Sequence, residues 1–291
     1  MGTYHSLIGI VLMVVSSALL ATKDGLAKTF LGQISPLHLI WFQYVGNFLV
    51  MACIAAPKHG WAVIRPKSIA WQMVRGTASA AAVCMLYWAL LYIPLADATA
   101  VFMLAPVIVA AVSPFLLGER LSTDRMISVG VGFLGVLVIL RPGFGGDARG
   151  YYIGTGAGIL LALYYIANRR LVKVAPPLLN VVHNALTGAV TLTLFLPLFW
   201  QNVPVEIAPK IAGVIALAVV GQACAIFAFH HTPAPVLAPY SYSMLVFAAI
   251  IGYVWFDNVP DLLTSMGIAL IVGAGLYIAN RERQLIMAKA K

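Results

Sequence analysis

The sequence predicts an all-α membrane protein of ten transmembrane helices, built as two inverted five-helix repeats. Three observations carry that expectation. Charge is scarce: 62% of the 291 residues are hydrophobic and 9% charged, where soluble domains average about 25% charged. Apolar runs of roughly 20 residues, enough to cross a bilayer, succeed one another along the chain, and mean hydropathy is +0.95. The second half also repeats the order of features found in the first.

The spans are expected near residues 5–31, 36–56, 69–92, 95–117, 124–141, 151–172, 177–200, 208–230, 234–256 and 262–280. Turn residues mark the breaks: Ser35-Pro36, Pro57-Lys58-His59-Gly60, Arg141-Pro142-Gly143 and Pro176-Pro177. The segments lack the dyad alternation of outer-membrane barrels. Pro94, Pro106 and Pro114 punctuate the fourth span, and Pro233, Pro235 and Pro239 crowd the ninth. Proline removes a backbone donor and bends a helix. Spans five and ten are rich in glycine (Gly130, Gly132, Gly135; Gly267, Gly273, Gly275) and read as close helix contacts.

The formal net charge of +9 is distributed as a membrane topology rather than as a nucleic-acid surface. With both termini inside, the inner side holds Lys58, Arg65, Lys67, Arg75, Arg120, Arg125, Arg169, Arg170, Lys173, Arg281, Arg283, Lys289 and Lys291. The outer side holds Arg141, Arg149 and Lys210, with Lys23 and Lys28 near the outer end of the first span. That bias follows the positive-inside rule. Cys53, Cys84 and Cys224 lie within spans and read as packing thiols, not as a disulfide framework. No cleaved leader is expected.

The repeat aligns L-I-G near residue 9 with Y-I-G near 154, and L-A-K near 28 with L-V-K near 173. Pro36 pairs with Pro177, Gln43 with Asn184, and Cys84 and Tyr87 with Cys224 and Phe227. The run from Ala96 aligns without gaps to the run from Ala234. Five spans per half, an odd number, turn the second half over relative to the first, a common transporter build. The expected domains are residues 5–141, residues 151–280 and a cytoplasmic tail, 281–291.

The stretch A-L-L-Y-I-P-L-A-D-A-T-A-V-F-M-L-A-P-V-I-V-A-A-V-S-P-F-L-L-G-E-R-L-S, residues 89–122, resembles the signature of the EamA domain. V-G-V-G-F-L-G-V-L-V-I-L-R-P after it is similar too. Two such domains in tandem resemble the ten-span carriers of the drug/metabolite transporter superfamily, and among them bacterial exporters of aromatic and other neutral amino acids. The second half is looser, with D-N-V-P in place of G-E-R-L-S. Many relatives carry an Arg a couple of turns after the proline of the second span; here W-F-Q-Y has Gln43 instead. The resemblance implies that spans one, three, four, six, eight and nine line a central basket.

Polar groups inside a bilayer usually face a cavity or a partner. Lys23, Asp24 and Lys28 are therefore the first candidates. Asp24 and Lys28 have the spacing of an i,i+4 pair. The triplet either snorkels to water at the outer interface, lines the cavity and meets a zwitterionic substrate, or forms an inter-helix salt bridge. Gln43 and His183 follow, His183 and Asp24 being the candidates for proton coupling. Tyr87, Trp88, Thr99, Met103, Tyr164, Asn168, Gln222, Tyr240, Ser241 and Ser243 complete the substrate-binding set, as aromatic walls with a few placed polar groups.

The expected function is a secondary transporter that moves small amphiphilic metabolites, neutral or aromatic amino acids first among them, outward across a bacterial inner membrane by alternating access. The alternatives are an exporter of cationic drugs or other metabolites, a channel or scramblase, and a membrane-embedded transferase. No P-loop and no H-E-x-x-H occurs. The expected partners are a small-molecule substrate and membrane lipid. No nucleic acid, cofactor, metal or catalytic residue is expected, and the chain is expected to be monomeric.

Overall fold

The computed structural model describes residues 2–117, 123–140, 148–171, 174–232, 237 and 240–289. The Gly118–Ser122 motif, the turn at Arg141-Pro142-Gly143, Lys173, Pro233, Pro235, Pro239 and Lys291 lie outside the described residues. Every regular element among the described residues is helical. The first half contributes α1 (Gly2–Lys28), α2 (Pro36–His59), α3 (Ile69–Ala89), α4 (Leu95–Phe102), α5 (Ala105–Leu117) and α6 (Thr123–Leu140). The second contributes α7 (Arg149–Leu171), α8 (Pro177–Phe195), α9 (Ala208–His231), α10 (Ser243–Phe256) and α11 (Leu262–Lys289).

Among the described residues, five segments are long and apolar enough to cross a membrane: Leu7–Lys28, Pro36–Val63, Arg149–Leu171, Pro177–Leu198 and Val205–His231. Leu95–Val109, Ser243–Phe256 and Leu262–Tyr277 are shorter apolar helices. The third expected span, α3, is not among the five; its first turns carry Gln72, Arg75, Thr77 and Ser79.

Proline and small polar residues set the local boundaries. The Ser35 hydroxyl accepts from the His38 N–H at 3.4 Å, with Pro36 in the first turn of α2. The fourth expected span is not continuous: it breaks at Met103 and Leu104, between α4 and α5. Pro106 supplies the reason. It has no N–H to offer the carbonyl of Phe102, and its ring crowds that carbonyl. A break also falls at Tyr242, ahead of α10. In the sequence alignment Leu104 pairs with Tyr242, so the two halves interrupt the same helix at the same place. Gly158 of α7 lies against the first break, where an added Cβ would stand 2.7 Å from the carbonyl oxygen of Val101.

The helices interleave across the halves. α1 lies along α9 and α10, and α7 lies along α3 and α4. α2 packs on α8 and α9, and α8 packs on α2 and α3; α6 packs on α11, and α4 on α10. Exchanging the repeat-equivalent helices maps α1–α9 onto α7–α3 and α2–α9 onto α8–α3, and maps α2–α8 and α6–α11 onto themselves. Directions can be read from side chains. On α1 and α9, Gly9 meets Thr232, Ser16 donates to the carbonyl of Gly221 at 2.7 Å, and Leu26 faces Gly213. The repeat-equivalent helices α2 and α8 are also antiparallel: Trp41 Nε1 donates to Thr193 at 2.9 Å, Tyr44 meets Gly188, and Met51 clusters with Leu179 and Val182.

Lipid tails are as apolar as leucine, so close helix approach rests on small residues and interhelical hydrogen bonds. Gly76 of α3 fits against Gly188 and Thr187 of α8, and Gly135 of α6 against the backbone of Gly267 in α11. Gly132 and Gly275 likewise meet Val107 and Tyr242, whereas Gly130 and Gly273 face open space. Gly76→Val overpacks the first contact by about 1–3 kcal/mol, which for a chain of this size lowers the melting temperature by roughly 3–10 °C. Gly130→Ala is expected to leave the melting temperature unchanged or slightly raised, because it adds helix propensity in open space. Thermal unfolding of the two detergent-purified variants checks both.

Candidate functional site

The polar residues of the core stack in three layers along the inward face of α3. Gln72, Arg75 and Ser79 share one helical face, and Tyr87 lies twelve residues beyond Arg75, roughly 18 Å along the axis. α1, α2, α7, α8 and α9 supply the partners.

The first layer surrounds Tyr87. Lys23 Nζ lies 2.8 Å from Asp24 Oδ1, and both side chains are enclosed, with residue exposures of 6% and 1%. The same ammonium stands 5.3 Å from the centre of the Tyr87 ring, and the Tyr87 hydroxyl donates to Gln43 Oε1 at 3.4 Å. The expected i,i+4 pair is thereby corrected. Asp24 joins Lys23, whose long stem reaches round the helix. Lys28 instead donates at 2.6 Å to the carbonyl of Ile93, in the connection between α3 and α4, and sits 5.5 Å from the Phe256 ring. The reading in which Lys23 and Asp24 snorkel to water is also corrected, since both are buried. The contact is ionic rather than a well-directed hydrogen bond, for among the described residues Asp24 Oδ1 has no hydrogen-bond donor in line.

The middle layer contains one of the expected site residues, Gln222. Tyr44 and Ser79 share a hydrogen bond of 2.5 Å, and Asn184 Nδ2 donates to Ser79 at 3.3 Å. Asn47 Nδ2 donates to Gln222 Oε1 at 2.9 Å, tying α2 to α9. The third layer holds Arg75, which the charge pattern alone assigns to the inner loops. It is 1% exposed and the bulkiest fully enclosed side chain described. Asn168 joins it at 3.1 Å. His183 donates through Nε2 to the carbonyl of Ala62 at 2.9 Å, anchoring α8 to the turn after α2.

The other candidates scatter. Thr99 is buried but donates within its own helix to Leu95 at 2.7 Å. Met103 is buried at the α4–α5 break, and Tyr164 packs on Tyr165 with ring centres 5.4 Å apart. Ser243 donates to the Tyr240 carbonyl at 2.7 Å, beside the second break and next to Ser241. Trp88 and Tyr240 are turned outward, at 43% and 39% exposed. The structure brings together Lys23, Asp24, Gln43 and Tyr87, and separately Asn168 with Arg75. Arg75 and Ser79 could have been found from their i, i+3, i+7 spacing with Gln72 on one helical face.

Comparison with known proteins bears on the whole chain. The EamA-like transporter family matches residues 7–141 and again 148–280. An uncharacterized transporter of Helicobacter pylori is 31% identical over 196 residues, 64% of this chain and 65% of that one. This chain therefore spans less than two thirds of the length of that relative. The pseudopaline exporter CntI of Pseudomonas aeruginosa is 25% identical over 282 residues, 94% of this chain and 97% of the relative. The S-adenosylmethionine uptake transporter of Rickettsia prowazekii is 28% identical over 199 residues, 67% of each. A solved crystal structure with 25% identity superposes over 95% of this chain and 98% of its own, with a TM-score of 0.63.

The first layer makes a stability prediction. Breaking a buried ion pair from one side costs about 3–5 kcal/mol, while replacing both partners by apolar groups is near neutral. Lys23→Met and Asp24→Leu are each expected to lower the melting temperature sharply, and the double variant to recover most of the loss. Equal and additive losses would show that the pair does not act as a unit.

Proposed function

The chain belongs to the EamA-like transporter family, and from that premise we propose that it is a secondary carrier of small amphiphilic metabolites working by alternating access. Ten spans in two inverted halves, residues 5–141 and 151–280, would form the carrier, with both termini and the tail 281–291 on the cytoplasmic side of a bacterial inner membrane. The antiparallel course of α2 and α8 and the exchange-symmetric helix contacts support that arrangement. So do the helix breaks at Leu104 and Tyr242, since discontinuous helices at corresponding places in two repeats point to a transporter's binding site.

The observation that carries the reading is the enclosed Lys23–Asp24 pair beside Tyr87 and Gln43. Opposite charges held side by side in an apolar bundle offer a zwitterion both of its complements: Lys23 for a carboxylate and Asp24 for an ammonium. A substrate entering between them exchanges one ion pair for two, and that gives it differential affinity between the open and closed arrangements. Tyr87 contributes an aromatic face. Neutral and aromatic amino acids moved outward fit this chemistry. The relatives' names cover export as well as uptake, so direction is part of the proposal. Family membership speaks against a transferase.

Proteoliposomes holding the purified chain and labelled phenylalanine, threonine or methionine test the cargo. Saturable flux, accelerated by unlabelled substrate on the opposite side, is expected, and Lys23→Ala or Asp24→Ala should reduce it at least tenfold. Flux of none of the three would overturn the amino-acid reading and favour cationic drugs or other metabolites. Flux that neither saturates nor shows counter-transport would favour a channel or scramblase.

A further inference from the structure

Arg75 sits in the third layer with a full positive charge, because a guanidinium does not lose its proton in proteins. Its partners among the described residues are all neutral. One terminal nitrogen donates to Asn168 Oδ1 at 3.1 Å and to Asn180 Oδ1 at 3.3 Å. The other donates to Gln72 Oε1 and to the Asn180 carbonyl, both at 2.6 Å. Asn180 is itself held by donating to the Ala175 carbonyl at 2.8 Å. Two donors remain enclosed with no acceptor among the described residues, Arg75 Nε and Gln72 Nε2. Among the described residues the layer thus has one positive charge and a surplus of buried donors, with no anion to receive them.

Three of the four Arg75 hydrogen bonds leave the first half of the chain and end on α7 and α8 of the second. They tie the two halves together at the end of α3 away from Lys23. The repeat-equivalent positions carry no such tie. Arg75 corresponds to Ile215 and Asn180 to Leu39, both apolar, and Asn168 corresponds to Lys23. The polar latch is one-sided.

We propose that the Arg75 layer is a second binding site, specific for a carboxylate or similar anionic group of the cargo, and that occupying it releases the latch between the halves. The inference rests on the carrier reading above and deepens it. A carboxylate accepts the planar guanidinium fork in two parallel, charge-assisted hydrogen bonds, roughly twice as strong as those to amide oxygens. Such a group displaces Asn168 and Asn180, and the bonds it displaces are three of the hydrogen bonds that join α3 to α7 and α8. Binding and opening at this end are then one event. The anionic group travels along the α3 face, from Arg75 past Ser79 to Lys23, with a cation at each end of the path.

The site can be tested without knowing the cargo. Asn168→Asp places a fixed carboxylate where the amide oxygen now lies. In the full-length, detergent-purified chain it is expected to raise the melting temperature by about 3 °C or more. The gain should reverse to a loss beside Arg75→Gln and survive in part beside Arg75→Lys. Phenylalanine and methionine should stabilise the wild type more than their carboxamides do, and Asn168→Asp should abolish that difference. A loss of stability on Asn168→Asp in both the Arg75 and Arg75→Gln backgrounds overturns the proposal, whatever the amino acids do. A gain that depends on Arg75, with no response to either amino acid, upholds the anion site and removes the amino-acid cargo instead.

Discussion

Taking a charged side chain out of water costs several kcal/mol even after the surroundings relax. In a bundle that is 62% hydrophobic by residue, every enclosed charge must be answered by geometry, and the two buried cations among the described residues, Lys23 and Arg75, are answered differently. The Lys23 ammonium is met by its sequence neighbour Asp24 and by the face of Tyr87. Arg75 is met by four neutral hydrogen bonds drawn from three helices. The first solution is local, since both charges lie on α1. The second exists only when both halves of the chain are in place.

The remaining architecture brings those partners within reach. Gly76 and Gly188 let α3 and α8 approach to backbone contact, and Gly158 brings α7 against the backbone at the end of α4. This packing sets Arg75 beside Asn168 and Asn180 and places the α4–α5 break against α7. Pro106 frees a carbonyl in the middle of a membrane helix, and α7 covers the break with a residue that has no side chain. Backbone exposed in this way is tolerated at membrane depth only where protein or a cavity receives it.

Family membership and the particular chain inform different levels. The family match covers both halves and accounts for the duplicated helical plan. Its members named here carry pseudopaline and S-adenosylmethionine, so the plan does not select the cargo. In the function proposed above, selection comes from the charged and amide groups on α1, α3 and α8.

Much was legible from the sequence. Scarcity of charge, the succession of apolar runs and the duplicated order of prolines, glycines and amides determined an all-helical membrane protein with two matching halves. They also marked Lys23 and Asp24, because a charge within an apolar run stands out at once. The partners of those charges were another matter. Helical spacing favoured Asp24 with Lys28, but the α3–α4 connection offers Lys28 a carbonyl, and Lys23 is left to fill the role. Arg75 reads as one more cation at an inner helix end, because what encloses it comes from residues some 90 to 105 positions away. Local pattern fixes which face of a helix is polar; only the packing of α3 between α7 and α8 decides whether that face meets water, lipid or another helix.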